Sequence, residues 1–256
     1  MRPRIGLTSW FVADPASNPP RERLYLNAAY FDAVYAAGGT PLPLPVPLHT
    51  DPAVCDALLA AIDGLIFTGG NDIDPRHYDE PRHPKTDVMH PRRSAFEVEL
   101  FRRADAARVP IFAICLGFQV AHVARGGKLV QHVPDLERTP TVMHSQPGVS
   151  AFHTVRITPG SRLAEIVGVR HGAGDGATTG AGTIEIEVNS RHHQGVGADH
   201  HGRGLQPVAY APDGLLEGAE DCNGRFLLAV QWHPEDLFDR PEHLRLFEAL
   251  VQAARR

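Results

Sequence analysis

The residue in this 256-residue chain best placed to do chemistry is Cys115, which follows the apolar run Ile111 to Ile114. Four apolar residues suit one buried strand and are too few for a helix. After Cys115 come Leu116 and Gly117, then a segment with Val120, Val123 and Ala124 on one helical face, closed by Gly126-Gly127. The pattern predicts a cysteine on a sharp turn between a strand and a helix, the geometry of a nucleophile elbow, with Gly117 relieving crowding. The positive end of a helix there would favour thiolate over thiol. A buried cysteine filling a strand end has the same local pattern, and this stretch alone does not separate the two.

A second stretch, Leu227-Leu228-Ala229-Val230-Gln231-Trp232-His233-Pro234-Glu235, sends a histidine out of a buried strand with a carboxylate two residues on. A cysteine nucleophile needs a base to hold it as thiolate and later to protonate a leaving amine. That base needs a partner to fix its tautomer. Cys115, His233 and Glu235 are residues of those three types, each at a predicted strand end, where open α/β sheets bind ligands. By itself the second stretch could be a loop with a capping glutamate. The apolar run at 64–67 leads through Thr68 into Gly69-Gly70, and glycines there let backbone N–H groups approach a reacting carbonyl. With the Leu116 N–H they could form an oxyanion hole, although an ordinary turn would have the same sequence.

Elements able to position these residues follow in order. Arg4 to Ser9 reads as a strand, Asp14 to Pro20 as loop, and Tyr25 to Ala37 as a helix with Tyr30, Phe31, Val34 and Tyr35 in its apolar stripe. Proline forces the segment at 41–47 into an extended form. Pro52 to Ile62 is a second helix, 64–67 a buried strand, and Pro75 to Pro91 a polar loop. Ser94 is expected to cap a helix from Ala95 to Arg108, with Glu97 at the reciprocal distance. This alternation predicts a doubly wound, mostly parallel sheet flanked by helices. Later come a strand at Thr154–Thr158, a helix at Ser161–Val167, a glycine-rich mobile loop or insertion at 171–182, and strands at 184–188, 205–210, 215–220 and 226–231. These strands have a mixed or antiparallel pattern, so an additional small sheet is expected. Pro241 to Ala254 closes the chain as an amphipathic helix. No repeat or linker divides the sequence, so residues 1–256 are expected to form a single domain.

Composition narrows the possibilities. A net charge of -5 with no basic cluster gives no nucleic-acid surface, and no apolar run reaches the roughly 18 residues of a membrane span. Three cysteines without metal-type spacing, and no signal-peptide core, lead to an expected cytoplasmic location. Most of the fifteen histidines fall in polar loops and are expected to be solvated. His192-His193 and His200-His201 lack a matching ligand pattern, so neither a metal site nor a cofactor is expected. Cys55 is expected in the core, Cys222 on the surface, and Trp232 packed beneath the histidine. His77 and Tyr78 could line the pocket or a surface loop.

Six stretches together resemble the class I glutamine amidotransferase-like hydrolases, and within them the γ-glutamyl-γ-aminobutyrate hydrolase group of the peptidase C26 family. They are Thr68 to Tyr78, Ile114 to Gln119, Gly126 to His132, Val188 to Gln194, Ala211 to Gly214 and Ala229 to Glu235. The resemblance implies a flavodoxin-like fold, a small-molecule γ-glutamyl amide as substrate and a γ-glutamyl thioester on Cys115. It implies His233 as general acid/base oriented by Glu235, and an oxyanion hole from Gly70 and Leu116. It also implies that Gly69, Gln119, Arg191, His192, His193 and Gln194 hold the glutamyl end, and that the protein is a homodimer. The group usually has arginine where Leu116 stands, asparagine at His122 and aspartate at Ser94, which leaves the amine half of the substrate open. Leu116 matches folate polyglutamate hydrolases instead. Two other readings use the same fold: a glutaminase subunit delivering ammonia to a synthetase, and a non-catalytic binding protein.

Overall fold

Short strands buried on both faces give the sheet its centre. A computed structural model describes residues 1–14, 16–19, 21–137, 140–168 and 184–255. Its strands are β1 (Arg4–Leu7), β2 (Trp10–Asp14), β3 (Arg21–Tyr25), β4 (Thr40–Pro43), β5 (Gly64–Phe67), β6 (Ile111–Ile114), β7 (Ala151–Ile157), β8 (Ile184–Ser190), β9 (Leu205–Tyr210), β10 (Leu216–Asp221) and β11 (Leu227–Val230). Its helices are α1 (Ala28–Ala36), α2 (Pro52–Ala60), α3 (Pro91–Ala106), α4 (Leu116–Ala124), α5 (Arg162–Gly168) and α6 (Pro241–Ala253).

Nine strands form one sheet in the order β4-β1-β5-β6-β11-β10-β9-β7-β8. The first five run parallel. The last four pair antiparallel, so the second half of the chain extends the central sheet. Alternation along the strands sorts the core into two layers. Leu65 and Phe67 of β5 join Cys55, Phe96, Phe101 and Phe118 beneath α2, α3 and α4. Ile66 joins Tyr30, Val34, Leu163, Phe247 and Leu250 beneath α1, α5 and α6. The doubly wound, mostly parallel α/β fold read from the sequence is the one observed.

The differences have local causes. The separate small sheet is the antiparallel hairpin of β2 and β3, around a segment expected to be loop. Its β3 residues are exposed throughout and make no apolar stripe to read. Helix α1 begins at Ala28 behind an Asn27 cap, so Tyr25 belongs to β3, and Tyr35 is exposed. Helix α3 starts at Pro91, four residues before the expected start. Proline at the first helical position has its φ already set, and His90 Nδ1 accepts the Arg92 N–H at 3.2 Å. Ser94 therefore lies inside the helix, and Glu97 binds Arg93 instead of closing a capping box. A 3₁₀ turn at Pro75–Tyr78 interrupts the expected loop and buries Tyr78. The glycine-rich segment at 171–182 lies outside the described residues. Among the described residues, no helix is long and apolar enough to cross a membrane.

Candidate active site

Cys115 stands where β6 ends and α4 begins, with φ 53° and ψ -102°. A non-glycine residue with positive φ stores backbone strain, and the strain is held by its neighbours. The Cys115 N–H donates to the Val230 carbonyl of β11 at 2.8 Å, and the Cys115 carbonyl accepts from the Gln119 N–H at 3.2 Å. Gly117 permits the turn, because a Cβ there would run into the Phe67 carbonyl oxygen.

Strand β11 lies beside β6 with Val230 opposite Ile114, so the chain beyond Val230 emerges next to Cys115. His233 Nδ1 and Glu235 Oε1 are 2.6 Å apart, and both residues are buried. Burial alone would push the His233 imidazole toward neutrality. The charges of Glu235 and Cys115, and hydrogen bonds to both, outweigh it and raise the pKa to about 10. The geometry thus places the His233 ring between a carboxylate and a sulfur. Trp232 is fully buried in the layer beneath.

Beside them, Thr68 N–H donates to Thr8 Oγ1 at 3.0 Å, and Thr68 Oγ1 to the Thr8 carbonyl at 2.9 Å. These bonds fix the loop after β5. Gly69 is committed inside the protein: its N–H donates to the Tyr30 hydroxyl at 2.9 Å, and its carbonyl accepts from Arg93 NH2 at 2.9 Å. With both groups engaged, Gly69 orients the loop and has no free donor for a ligand. A Cβ on Gly69 would stand 2.8 Å from His233 Cε1, and one on Gly70 would stand 2.7 Å from Leu116 Cδ2 and strike Arg93. Gly70 and Leu116 are thus brought together, and the Leu116 N–H, at the first helical position, has no acceptor within its own helix.

Sequence reasoning missed Tyr30, Arg93 and Asn189. Burial, the Glu235 carboxylate and the Cys115 sulfur hold the Tyr30 phenol well above its ordinary pKa. Arg93 is buried against Glu97, with Nε to Oε1 2.7 Å, and its guanidinium lies 5.4 Å from the Trp10 ring centroid. Burial pushes the Glu97 carboxyl up despite that pairing. Asn189, inside the stretch 188–194, bonds the His233 backbone. That stretch carried the only signal for it.

The remaining expected substrate residues divide. Gln119 is buried, with Nε2 donating to Gln231 Oε1 at 3.3 Å. Arg191 faces the site: its NH2 is 2.5 Å from Asp236 Oδ2 and 3.8 Å from Glu235 Oε1, and it lies within electrostatic reach of Cys115. His192, His193 and Gln194 are committed elsewhere. His192 Nδ1 bonds the Gln194 carbonyl at 2.8 Å, and its Nε2 lies 3.4 Å from Glu217 Oε1 without a hydrogen bond. His193 bonds His132 and Asp72. Gln194 Nε2 donates to the Gln131 carbonyl. Both His193 ring nitrogens are thus bonded within the protein, and the His192 ring is aimed at Gln194 and Glu217. The histidines as a set are also less solvated than expected. His122, His144, His192, His233 and His243 are buried, and His122 is held neutral, with a pKa lowered to about 3 by burial.

Residues 3–235 match the peptidase C26 family. The chain belongs to that family. This C26 member is 37% identical, over 99% of its length and 75% of the other chain, to a Mycobacterium tuberculosis protein, Rv2859c, whose provisional name is glutamine amidotransferase. It is 31% identical to the γ-glutamyl-γ-aminobutyrate hydrolase PuuD of Escherichia coli K12, over 82% of this chain and 78% of that one. Its fold is shared with the CTPS glutaminase domain of Trypanosoma brucei with bound acivicin, at TM-score 0.65 and 16% identity, over 98% and 93% of the two chains. This C26 chain is a class I glutamine amidotransferase-like hydrolase, an enzyme of amide hydrolysis.

Proposed function

We propose that the protein hydrolyses the γ-glutamyl amide bond of a small γ-glutamyl-amine to glutamate and the free amine. The observation that carries this reading is the His233 ring, buried between Cys115 and Glu235 with a 2.6 Å bond to the carboxylate. Cys115 attacks the amide carbonyl as a thiolate. The developing oxyanion takes hydrogen bonds from the Gly70 and Leu116 N–H groups, each worth about 3 kcal/mol in comparable sites. His233 passes a proton to the departing amine, and a γ-glutamyl thioester remains on Cys115. His233, now neutral, takes a proton from water, the hydroxide adds to the thioester, and glutamate leaves as the thiolate returns. Glu235 keeps the ring in one tautomer throughout. In this reading Arg191, which pairs with Asp236 beside Glu235, meets the α-carboxylate of the substrate, and Gln119 helps hold the glutamyl end.

Turnover of purified protein with γ-glutamyl derivatives of aminobutyrate, putrescine and ethanolamine, with polyglutamate and with glutamine, read by mass spectrometry, tests the proposal. The expected result is glutamate release from one γ-glutamyl amide and none from a Cys115→Ala variant of the same fold. Release from glutamine alone would instead indicate an ammonia-delivering glutaminase, and no turnover of any would sink the hydrolase reading.

A further inference from the structure

Apart from the Cys115 site, the sheet's antiparallel half buries a second group of chemistry-bearing side chains. His144, His153, His192 and Glu217 each offer one donor atom, and the four atoms lie within 4.8 Å of one another. Glu217 Oε1 is 3.4 Å from His144 Nδ1, 3.4 Å from His192 Nε2 and 3.9 Å from His153 Nε2. Four donors held 2.0–2.2 Å from one zinc ion stand about 3.3–3.6 Å apart, so donors that already lie within 4.8 Å of one another need to close by about an ångström at most to enclose one.

The other ring nitrogens set the direction of the lone pairs. His144 Nε2 faces Asp213 Oδ2 at 3.1 Å, His153 Nδ1 faces the Thr154 carbonyl at 3.2 Å, and His192 Nδ1 faces the Gln194 carbonyl at 2.8 Å. Each of these oxygens is an acceptor, so each ring donates its outer N–H and directs its inner nitrogen at the common point. This is how metal-binding imidazoles are oriented. The three inner nitrogens and both Glu217 oxygens are buried and make no hydrogen bond. Buried polar atoms without partners are costly, and five of them facing one point call for a shared cation. One divalent ion would be balanced by the charges of Glu217 and Asp213.

We infer that His144, His153, His192 and Glu217 form a structural binding site for a divalent d-block cation, zinc being the best match to three imidazoles and one carboxylate. Four protein donors leave no open position, which marks a structural rather than a catalytic ion. The ion would tie β7, β10 and the loops at 144 and 192 together. The His144 carbonyl already accepts from Ser190 Oγ at 2.7 Å and the His192 N–H at 3.0 Å, so the site is largely assembled beforehand. It also adjoins the Cys115 site: the Glu217 carbonyl accepts the Gln231 N–H at 2.8 Å, and Asn189 lies three residues before His192. The inference does not depend on the proposed hydrolysis.

The test uses full-length protein without an affinity tag, in a Cys115→Ala background so that the active-site thiol cannot bind metal. Elemental analysis after dialysis is expected to give about one zinc per chain. Stripping with a chelator and adding Co²⁺ is expected to give the visible absorption of a four-coordinate ion. Zn²⁺ at about 1,000 times its dissociation constant is expected to raise the melting temperature of the stripped protein by roughly 10 °C. His153→Ala and, separately, Glu217→Gln are expected to lose the metal, and His193→Ala to keep it. Because His153 is half-buried at the edge of the cluster, its variant should fold even if the Glu217 variant does not. Stoichiometric metal retained in a folded His153→Ala protein would overturn the inference. So would a wild-type cluster that binds neither Zn²⁺ nor Co²⁺ and shows no thermal shift, which would make it a protonated ion-pair cluster.

Discussion

Asn189 grips the backbone of His233 from both sides: its Nδ2 donates to the His233 carbonyl and its Oδ1 accepts the His233 N–H, each at 2.9 Å. The two residues lie on different strand ends, 44 positions apart. Asn189→Ala would leave two buried backbone groups without partners, at a cost of about 1–3 kcal/mol each. The expected outcome is a lower urea midpoint and a kcat reduced about 10- to 100-fold with KM little changed, since Asn189 positions the acid/base and does not bind substrate. A proportionate rise in KM alone would show that the clamp serves binding instead.

His233 titrates well above a free histidine, at about 10, and that fixes the sign of a pH effect. A raised pKa means that the folded protein holds its proton more tightly than the unfolded chain. The resulting stabilisation is complete below about pH 6.5, where both states are protonated, and is lost as pH rises through about 10. Glu235→Gln removes the charge that sustains it. Melting temperatures between pH 6 and 10 should therefore fall more steeply with pH in the wild type than in Glu235→Gln, and the two curves should converge at the alkaline end. Parallel curves would mean that the ring is neutral in the folded protein.

The Tyr30 hydroxyl receives the Gly69 N–H, so Tyr30→Phe should leave that donor buried and unpaired. About 1–3 kcal/mol of stability and roughly a tenfold loss in kcat are expected, the latter because Gly70 follows directly in the loop. Tyr35→Phe, on the same helix but exposed, should change neither. Denaturant melts and steady-state kinetics on the pair would separate the site effect from a general effect of removing a hydroxyl.

Gly117→Ala should be one of the least tolerated single-methyl additions in the chain. The added carbon meets the Phe67 carbonyl, a backbone atom that cannot rotate away. A loss of about 1–3 kcal/mol or more is expected from the displaced backbone, read as a reduced chemical-denaturation midpoint. Wild-type stability in this variant would show that the elbow is looser than its packing implies.

Much of this arrangement was legible because the residues concerned sit in short, strongly patterned stretches. The four-residue apolar runs before Cys115 and Gly69 allowed few alternatives to buried strands, and helix α4 carried its own stripe. The hairpin β2–β3 was not legible, because β3 is exposed on both faces and carries no alternation. The start of α3 was misplaced because Ser94 offered an acceptable cap while Pro91 and His90 offered a better one. Which way the rings of His192 and His193 point was not legible, because a motif gives proximity in sequence and says nothing about ring direction.

The sequence by itself determined the elements, their mostly parallel winding, and the types and order of the groups at 69–70, 115 and 233–235, since these follow from local pattern and chain geometry. Only the tertiary structure decided what those groups touch. Tyr30 on Gly69, Arg93 on the loop carbonyl and Asn189 on His233 join residues 24 to 44 positions apart. The cluster of His144, His153, His192 and Glu217 draws on four separate segments. Such contacts depend on strand order and on the direction of each side chain, which no local periodicity encodes.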